Sequence, residues 1–205
     1  MYTVAWSFDG KVLASGGDDA RIILWDAEKG ERLTELKGHS DWVYAVAWSI
    51  DGNVASGSDD TTVKMWNSST GECLKTLEGH SGLVEHVQFS HDGATLVSAD
   101  NRETFFWNVA TGARKDTVAD EQFAFAKAGV GRYIVTKKHD LVVVYDTRVG
   151  ANDCADGEEK GLTAFFCAPS PIVSVSCAGD KIAVGCQSGA VLTLHGAWLT
   201  DGGAA

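Results

Sequence analysis

Short apolar runs separated by polar turns fill this chain, and the runs come in sets of four. In the second set the pattern predicts strands over 43–48, 54–56, 62–66 and 73–77, with Asp51-Gly52 between the first two. The first set covers 4–6, 12–15, 22–25 and 33–36 around Asp9-Gly10, and the third covers 84–89, 95–98, 104–107 and 114–118 around Asp92-Gly93. Asp-Gly between apolar runs predicts a two-residue type I′ hairpin, because both residues tolerate positive φ. Two looser sets follow. Strands are expected at 123–126, 132–136, 141–145 and 162–167, then at 172–177, 182–186, 191–194 and 197–199. Residues 151–161 read as one long polar loop, and the last six residues as a fraying tail.

Several runs are apolar at consecutive positions, as in Ile22-Ile23-Leu24-Trp25 and Leu141-Val142-Val143-Val144-Tyr145. Such strands need cover on both faces. Helical periodicity is absent, so sheets must stack on sheets, as in a radial array. Membrane-barrel strands of about ten alternating residues do not fit, and no run reaches the roughly 18 apolar residues of a spanning helix.

The sets are copies of one unit. Trp25, Trp66 and Trp107 lie 41 residues apart, and glycines follow five residues later at Gly30, Gly71 and Gly112. Gly38-His39 and Gly79-His80 precede the second and third sets. A fixed period in this range marks a supersecondary unit that buries its faces only against neighbours. We divide the chain, as a single repeat domain over 1–205, into units of about 1–37, 38–78, 79–118, 119–167 and 168–200.

Composition narrows the function. Seventeen basic against twenty-eight acidic residues give a net charge of -11, which repels phosphate backbones and argues against nucleic acid. Five irregularly spaced cysteines without a Cys-x2-Cys pair argue against zinc and for a reducing compartment. The opening Met1-Tyr2-Thr3-Val4 has no basic stretch leading into a long apolar region. Cytoplasm, or nucleus, is the expected location, with no cofactor and no metal. Alternation puts His86 and His91 on opposite faces, so they share no ion. Gly16-Gly17 and Gly57-Ser58 are faintly like phosphate cradles, but no Lys-Ser/Thr opens a helix after them.

Gly-His, a strand serine, a turn aspartate and Trp-Asp or Trp-Asn together resemble the WD40 repeat, strongly over 1–118 and more loosely over 119–205. The resemblance implies an all-β WD40-type β-propeller of about five four-stranded blades, and a hydrogen-bonded structural tetrad in each blade. Carried over by position, the second tetrad is His39, Ser56, Asp60 and Trp66; the first keeps Ser15, Asp19 and Trp25. The third keeps His80, Ser98 and Trp107, with Asp100 or Asn101 as its acid. A recurring Ser-His-Asp set within strands reads as a structural network; a triad would need an exposed hydroxyl and an oxyanion hole. No catalytic residue is assigned.

The family's binding face is built from the loops at the narrow end. Trp42 and Tyr44 are the expected anchors, ringed by Asp18, Asp59, Glu85 and Asp100, so a protein or peptide partner of basic character is expected. Tyr145-Asp146-Thr147-Arg148 is similar to the Trp-Asp-x-Arg ending by which some propellers dock on cullin-4 ubiquitin ligase adaptors, with Tyr in place of Trp. The stretch from Pro169 to Gly189 resembles the last blade of NACHT-associated WD40 signalling proteins. The expected role is a non-enzymatic scaffold, with a sensor portion of such a protein or a substrate receptor as alternatives. A propeller enzyme fits least, because the channel-lining strands 43–47 and 172–176 are mostly apolar. Three readings of closure stay open: a five-bladed ring, part of a larger propeller, or a piece completed by self-association.

Overall fold

The computed structural model describes residues 1–90 and 92–119, residue 188, and the backbone of seven strands beyond residue 122. The chain divides into two compact units, Met1–Glu121 and Gln122–Ala205.

The first unit holds three four-stranded antiparallel sheets, each a meander in chain order. Strands β1 (Thr3–Trp6), β2 (Val12–Gly16), β3 (Arg21–Asp26) and β4 (Arg32–Lys37) form the first. Strands β5 (Val43–Trp48), β6 (Val54–Ser58), β7 (Val63–Trp66) and β8 (Cys73–Leu77) form the second. The third contains β9 (His86–Phe89), β10 (Thr95–Ala99), β11 (Glu103–Asn108) and β12 (Arg114–Ala119).

The first hairpin of each sheet differs from the type I′ expectation. Positive φ is confined to Gly10, Gly52 and Gly93, at 70°, 80° and 69°. Each glycine N–H returns to the serine carbonyl three residues earlier, at 3.0, 3.1 and 2.9 Å. The preceding aspartate does not take positive φ in any of the three. In the first and third its carboxylate accepts from a serine hydroxyl: Asp9 Oδ1 from Ser7 Oγ at 2.7 Å, and Asp92 Oδ1 from Ser90 Oγ at 2.6 Å. The result is a four-residue turn ending in a left-handed glycine.

The tryptophan period has an equally local cause. In all three sheets the register shifts at the tryptophan of the third strand, at Leu24/Trp25, Met65/Trp66 and Phe106/Trp107. A bulge there re-aims the indole. The next residue caps the following turn: Asp26 Oδ1 accepts from the N–H of Glu28 and Lys29, and Asn67 Oδ1 from those of Ser69 and Thr70. Trp-Asp and Trp-Asn are therefore one bulge followed by one cap.

Burial on both faces follows from stacking. Val43, Val46, Val54 and Trp66 of the second sheet pack with Ala5, Ala14, Ile22, Leu24 and Leu36 of the first. From its other face Ala45, Ala47, Ala55, Val63 and Met65 pack with Val87, Phe89, Leu96, Phe105 and Trp107 of the third. A register shift between Val43 and Ala45 puts Val43 and Val46, three apart, on one face. Backbone bonds join the sheets: Val43 N–H donates to Gly17 O at 2.8 Å, and Val84 N–H to Ser58 O at 2.9 Å. Strand β9 starts at His86, two residues after the expected 84. The Trp48 indole also donates to Ala5 O at 3.1 Å. Val4 and Trp6, by contrast, are exposed on the first sheet.

Gly57, one of the suggested phosphate-cradle glycines, sits at this close approach. A Cβ there would lie 2.6 Å from Val84 Cγ1 and 2.8 Å from its carbonyl oxygen. The position serves sheet stacking.

In the second unit β13 (Phe123–Val130), β14 (Tyr133–Lys138), β15 (Leu141–Asp146) and β16 (Leu162–Cys167) form one antiparallel meander. Strands β17 (Ile172–Ala178), β18 (Lys181–Cys186) and β19 (Val191–His195) form another. The sequence pattern separates these two sets. Here a parallel pairing of β13 with β17, at Lys127↔Ser176, links them into one seven-stranded sheet. Parallel first strands side by side make that single contact available. The expected strand at 197–199 and the loop 151–161 lie outside the described residues.

Gly57→Ala should destabilise the protein by about 1–3 kcal/mol through overpacking against Val84, read as a lower midpoint in urea unfolding. An unchanged midpoint would show that the two sheets are not held this closely.

Candidate functional site

The polar residues of the second repeat form one connected network. His39 arrives on the link between β4 and β5, Ser56 lies in β6, Asp60 in the following turn, and Trp66 at the end of β7. His39 Nδ1 meets Asp60 Oδ2 at 2.7 Å, and His39 Nε2 meets Ser56 Oγ at 2.7 Å. The Trp66 indole donates to the same hydroxyl oxygen at 2.8 Å. One assignment satisfies all three bonds: imidazole Nδ1–H to carboxylate, serine O–H to Nε2, and indole N–H to serine oxygen. Asp60 also accepts from the Thr62 hydroxyl at 2.7 Å and the Ser40 N–H at 3.0 Å.

The first and third repeats vary this arrangement. Trp25 donates to Ser15 Oγ at 2.8 Å, and Asp19 accepts from the Arg21 N–H at 3.3 Å. In the third, Ser98 Oγ meets His80 Nε2 at 2.6 Å and the Trp107 indole at 2.8 Å. Its acid is Asp100: Oδ2 lies 3.2 Å from His80 Nδ1. That approach is too poorly aligned to count as a hydrogen bond, and His80 Nδ1 stays unsatisfied. The shorter turn points the Asp100 carboxylate at four backbone N–H groups, those of Ser81, Gly82, Arg102 and Glu103. His80 instead stacks on Phe105, at 4.2 Å between centroids.

Asp100 is only 2% exposed. It belongs to the buried network and cannot join the exposed acidic ring expected of it. Asn101, the alternative acid, is exposed.

The expected anchors gather with one residue not foreseen. Tyr2 stacks on Tyr44 at 5.0 Å between centroids, and Trp42 lies 5.6 Å from Tyr2 and 6.3 Å from Tyr44. Tyr2 is 48% and Trp42 42% exposed, and Tyr44 is half-buried. Burial first, then the charges of Asp59, Tyr2, Asp41 and Glu85, raise the pKa of the Tyr44 hydroxyl, and the Asp59 N–H donates to Trp42 O at 2.9 Å. Glu85 and Asp41 are exposed and Asp59 is half-buried. Asp18 is exposed on the corresponding turn of the first sheet. The clue to Tyr2 was the repeat: aligning Val4-Ala5-Trp6 with Val46-Ala47-Trp48 puts Tyr2 at the position of Tyr44.

Ser56 and the His39 side chain are fully buried, so this hydroxyl cannot meet a substrate. Among the described residues no group of three or more His, Cys, Asp or Glu is placed to hold a metal, and no helix is long and apolar enough to cross a membrane. His91, the side chain of Tyr145, and Thr147-Arg148 lie outside the described residues, as do the side chains of 169–187.

Stacked four-stranded meanders, cross-tied by a recurring Ser-His-Asp-Trp network, define a repeat protein of the β-propeller class. The WD domain, G-beta repeat model matches residues 1–26, 30–67 and 71–108, and the chain belongs to the WD40 repeat family. WD repeat-containing protein 1 of Xenopus tropicalis is 45% identical over 51 residues, 23% of this chain and 8% of that protein. Meiotic fizzy-related protein 1 of Schizosaccharomyces pombe is 43% identical over 47 residues, again 23% of this chain and 11% of that protein. The chain thus spans only about a tenth of the length of these curated relatives. A chain in a crystal structure of the mitotic checkpoint complex matches with a TM-score of 0.74 at 20% identity, over 96% of this chain and 61% of that one. That likeness shows the fold, an all-β WD40 propeller.

Burial pushes the pKa values of His39 and His80 below the ordinary 6.5, against the pull of Asp60 and Asp100. Burial alone would raise Asp60, but hydrogen bonds from Thr62, His39 and the Ser40 N–H hold it down to about 2. Both shifts leave the native state binding fewer protons than the unfolded chain, so stability is lost as pH is lowered. The histidine contribution fades as pH drops below 6.5, and that of Asp60 between 3.8 and about 2. The urea midpoint should therefore decrease on acidification from about pH 8 to about pH 5.5, and decrease less in the double variant His39→Asn/His80→Asn. Equal slopes in both proteins would contradict this assignment. Ser56→Ala should cost about 1–3 kcal/mol at neutral pH, since it leaves the Trp66 indole N–H buried and unpaired.

Proposed function

We propose that this chain is a non-enzymatic scaffold whose inner-strand end binds a protein or peptide, preferentially a basic one. The observation that carries this reading is the exposed cluster of Tyr2, Trp42 and Tyr44 beside Asp41, Asp59 and Glu85. Exposed aromatics on a rigid frame carry disproportionate binding energy. The carboxylates add complementarity to lysine or arginine and speed encounter. A net charge of -11 works in the same direction and against polyanions. The family adds support, because WD40 propellers generally act as protein-interaction platforms, and a structural neighbour comes from a multiprotein complex by its name.

Trp42→Ala should lose partners that the wild-type chain captures from a lysate, by affinity purification and mass spectrometry, while the melting temperature stays within about 2 °C. The charge reversals Asp59→Lys and Glu85→Lys should weaken the same capture. An identical partner set from all variants would place binding on another surface.

A further inference from the structure

Three rings from two consecutive repeats meet at one surface point. Tyr2 and Tyr44 hold equivalent positions just before or within the first strand of their sheets, and Glu85 holds that position in the third. The sheets are fixed side by side by the Val43–Gly17 and Val84–Ser58 backbone bonds. Two rings and a carboxylate are thereby lined up along the ends of β1, β5 and β9.

The spacing selects among cations. Centroids 5.0, 5.6 and 6.3 Å apart put the rings in mutual contact, so no box remains for a tetrahedral alkylammonium between them. A planar guanidinium needs only one exposed ring face, with carboxylates near its edge to accept its N–H donors. Tyr2 and Trp42 supply exposed ring surface. Asp41, Asp59 and Glu85 supply charge, and among the described residues no lysine, arginine or histidine forms an ion pair with any of them. The segment that carries the rings is also held in advance. Ser58 Oγ donates to Asp41 O at 2.9 Å, Asp59 N–H to Trp42 O at 2.9 Å, and Trp42 N–H to Asp41 Oδ1 at 2.8 Å. Little ordering is left for a ligand to impose.

We propose that this cluster binds an arginine side chain of a partner segment, its guanidinium stacked on the surface of Tyr2 and Trp42 and its edge turned to Asp59 and Glu85. The inference rests on the protein-binding reading above and names the side chain that reading leaves open.

The test uses the full chain, labelled with nitrogen-15, and four capped heptapeptides of glycine and serine. The central residue is arginine, citrulline, lysine or trimethyl-lysine, and the readout is the Trp42 indole N–H signal, assigned by its loss in Trp42→Phe. The arginine peptide should shift that signal saturably and bind about fivefold or more tighter than its citrulline isostere, and about threefold tighter than the lysine peptide. Tyr2→Leu and Glu85→Gln should each weaken the arginine peptide severalfold and leave the melting temperature unchanged. Equal binding of arginine and citrulline, or tighter binding of trimethyl-lysine, overturns the proposal. If either result accompanies Trp42-dependent partner capture, the protein-binding face stands and only the arginine assignment fails. If Trp42→Ala spares capture and no peptide moves the indole signal, both fail.

Discussion

A four-stranded sheet with apolar residues on both faces cannot be stable alone in water, and this one requirement organises the described chain. Val43, Val46, Val54 and Trp66 look one way from the second sheet, while Ala45, Ala55, Val63 and Met65 look the other. Only two neighbours can cover both. The stacking must be close, so glycine occupies the point where Val84 reaches β6. Backbone bonds between sheets then use N–H groups that would otherwise be buried without partners.

The buried network solves a second problem, that of holding the links between sheets. Asp60 takes both the His39 imidazole and the Ser40 N–H, so the connection leaving the first sheet is fastened to a turn of the second. Ser58 and Asp59 fasten the next two residues in the same way. Trp42 and Tyr44 follow directly. The structural tetrad and the exposed aromatic cluster are therefore two ends of one construction, in which polar groups inside the sheet set the position of rings outside it. In the third repeat Asp100 does the fastening through the Ser81 and Gly82 N–H groups, and its histidine contact is the weaker for it.

Much of this was legible residue by residue. The Trp period, the Gly-His pairs and the Asp-Gly turns located the strands of the first three sheets to within two residues, because each is a local device repeated at a fixed interval. The departures from this reading are few and can be placed residue by residue. All three hairpin aspartates lie outside the positive-φ region, two of them bonded to a serine hydroxyl, and Val84 donates to Ser58 O of the preceding sheet. Asp100 was expected both as a tetrad acid and on an exposed ring; its four backbone donors decide for the interior. Tyr2 falls outside the 41-residue tryptophan period because the first strands of the first two repeats lie 42 residues apart, as Trp6 and Trp48 do.

By itself the sequence determined that this is a stack of repeated all-β units of the WD40 family, since hydrophobic period, turn chemistry and capping residues act over a few positions. Three-dimensional packing alone decided which acid completes the third network, that Tyr2 meets Trp42 and Tyr44, and that the fourth and fifth sets touch through their first strands. Those outcomes depend on distances between residues some forty positions or more apart, or on a carboxylate choosing among several donors. Spacing gives Tyr2 the position of Tyr44 in the repeat, but neither the ring contacts nor the choice of donor follows from it.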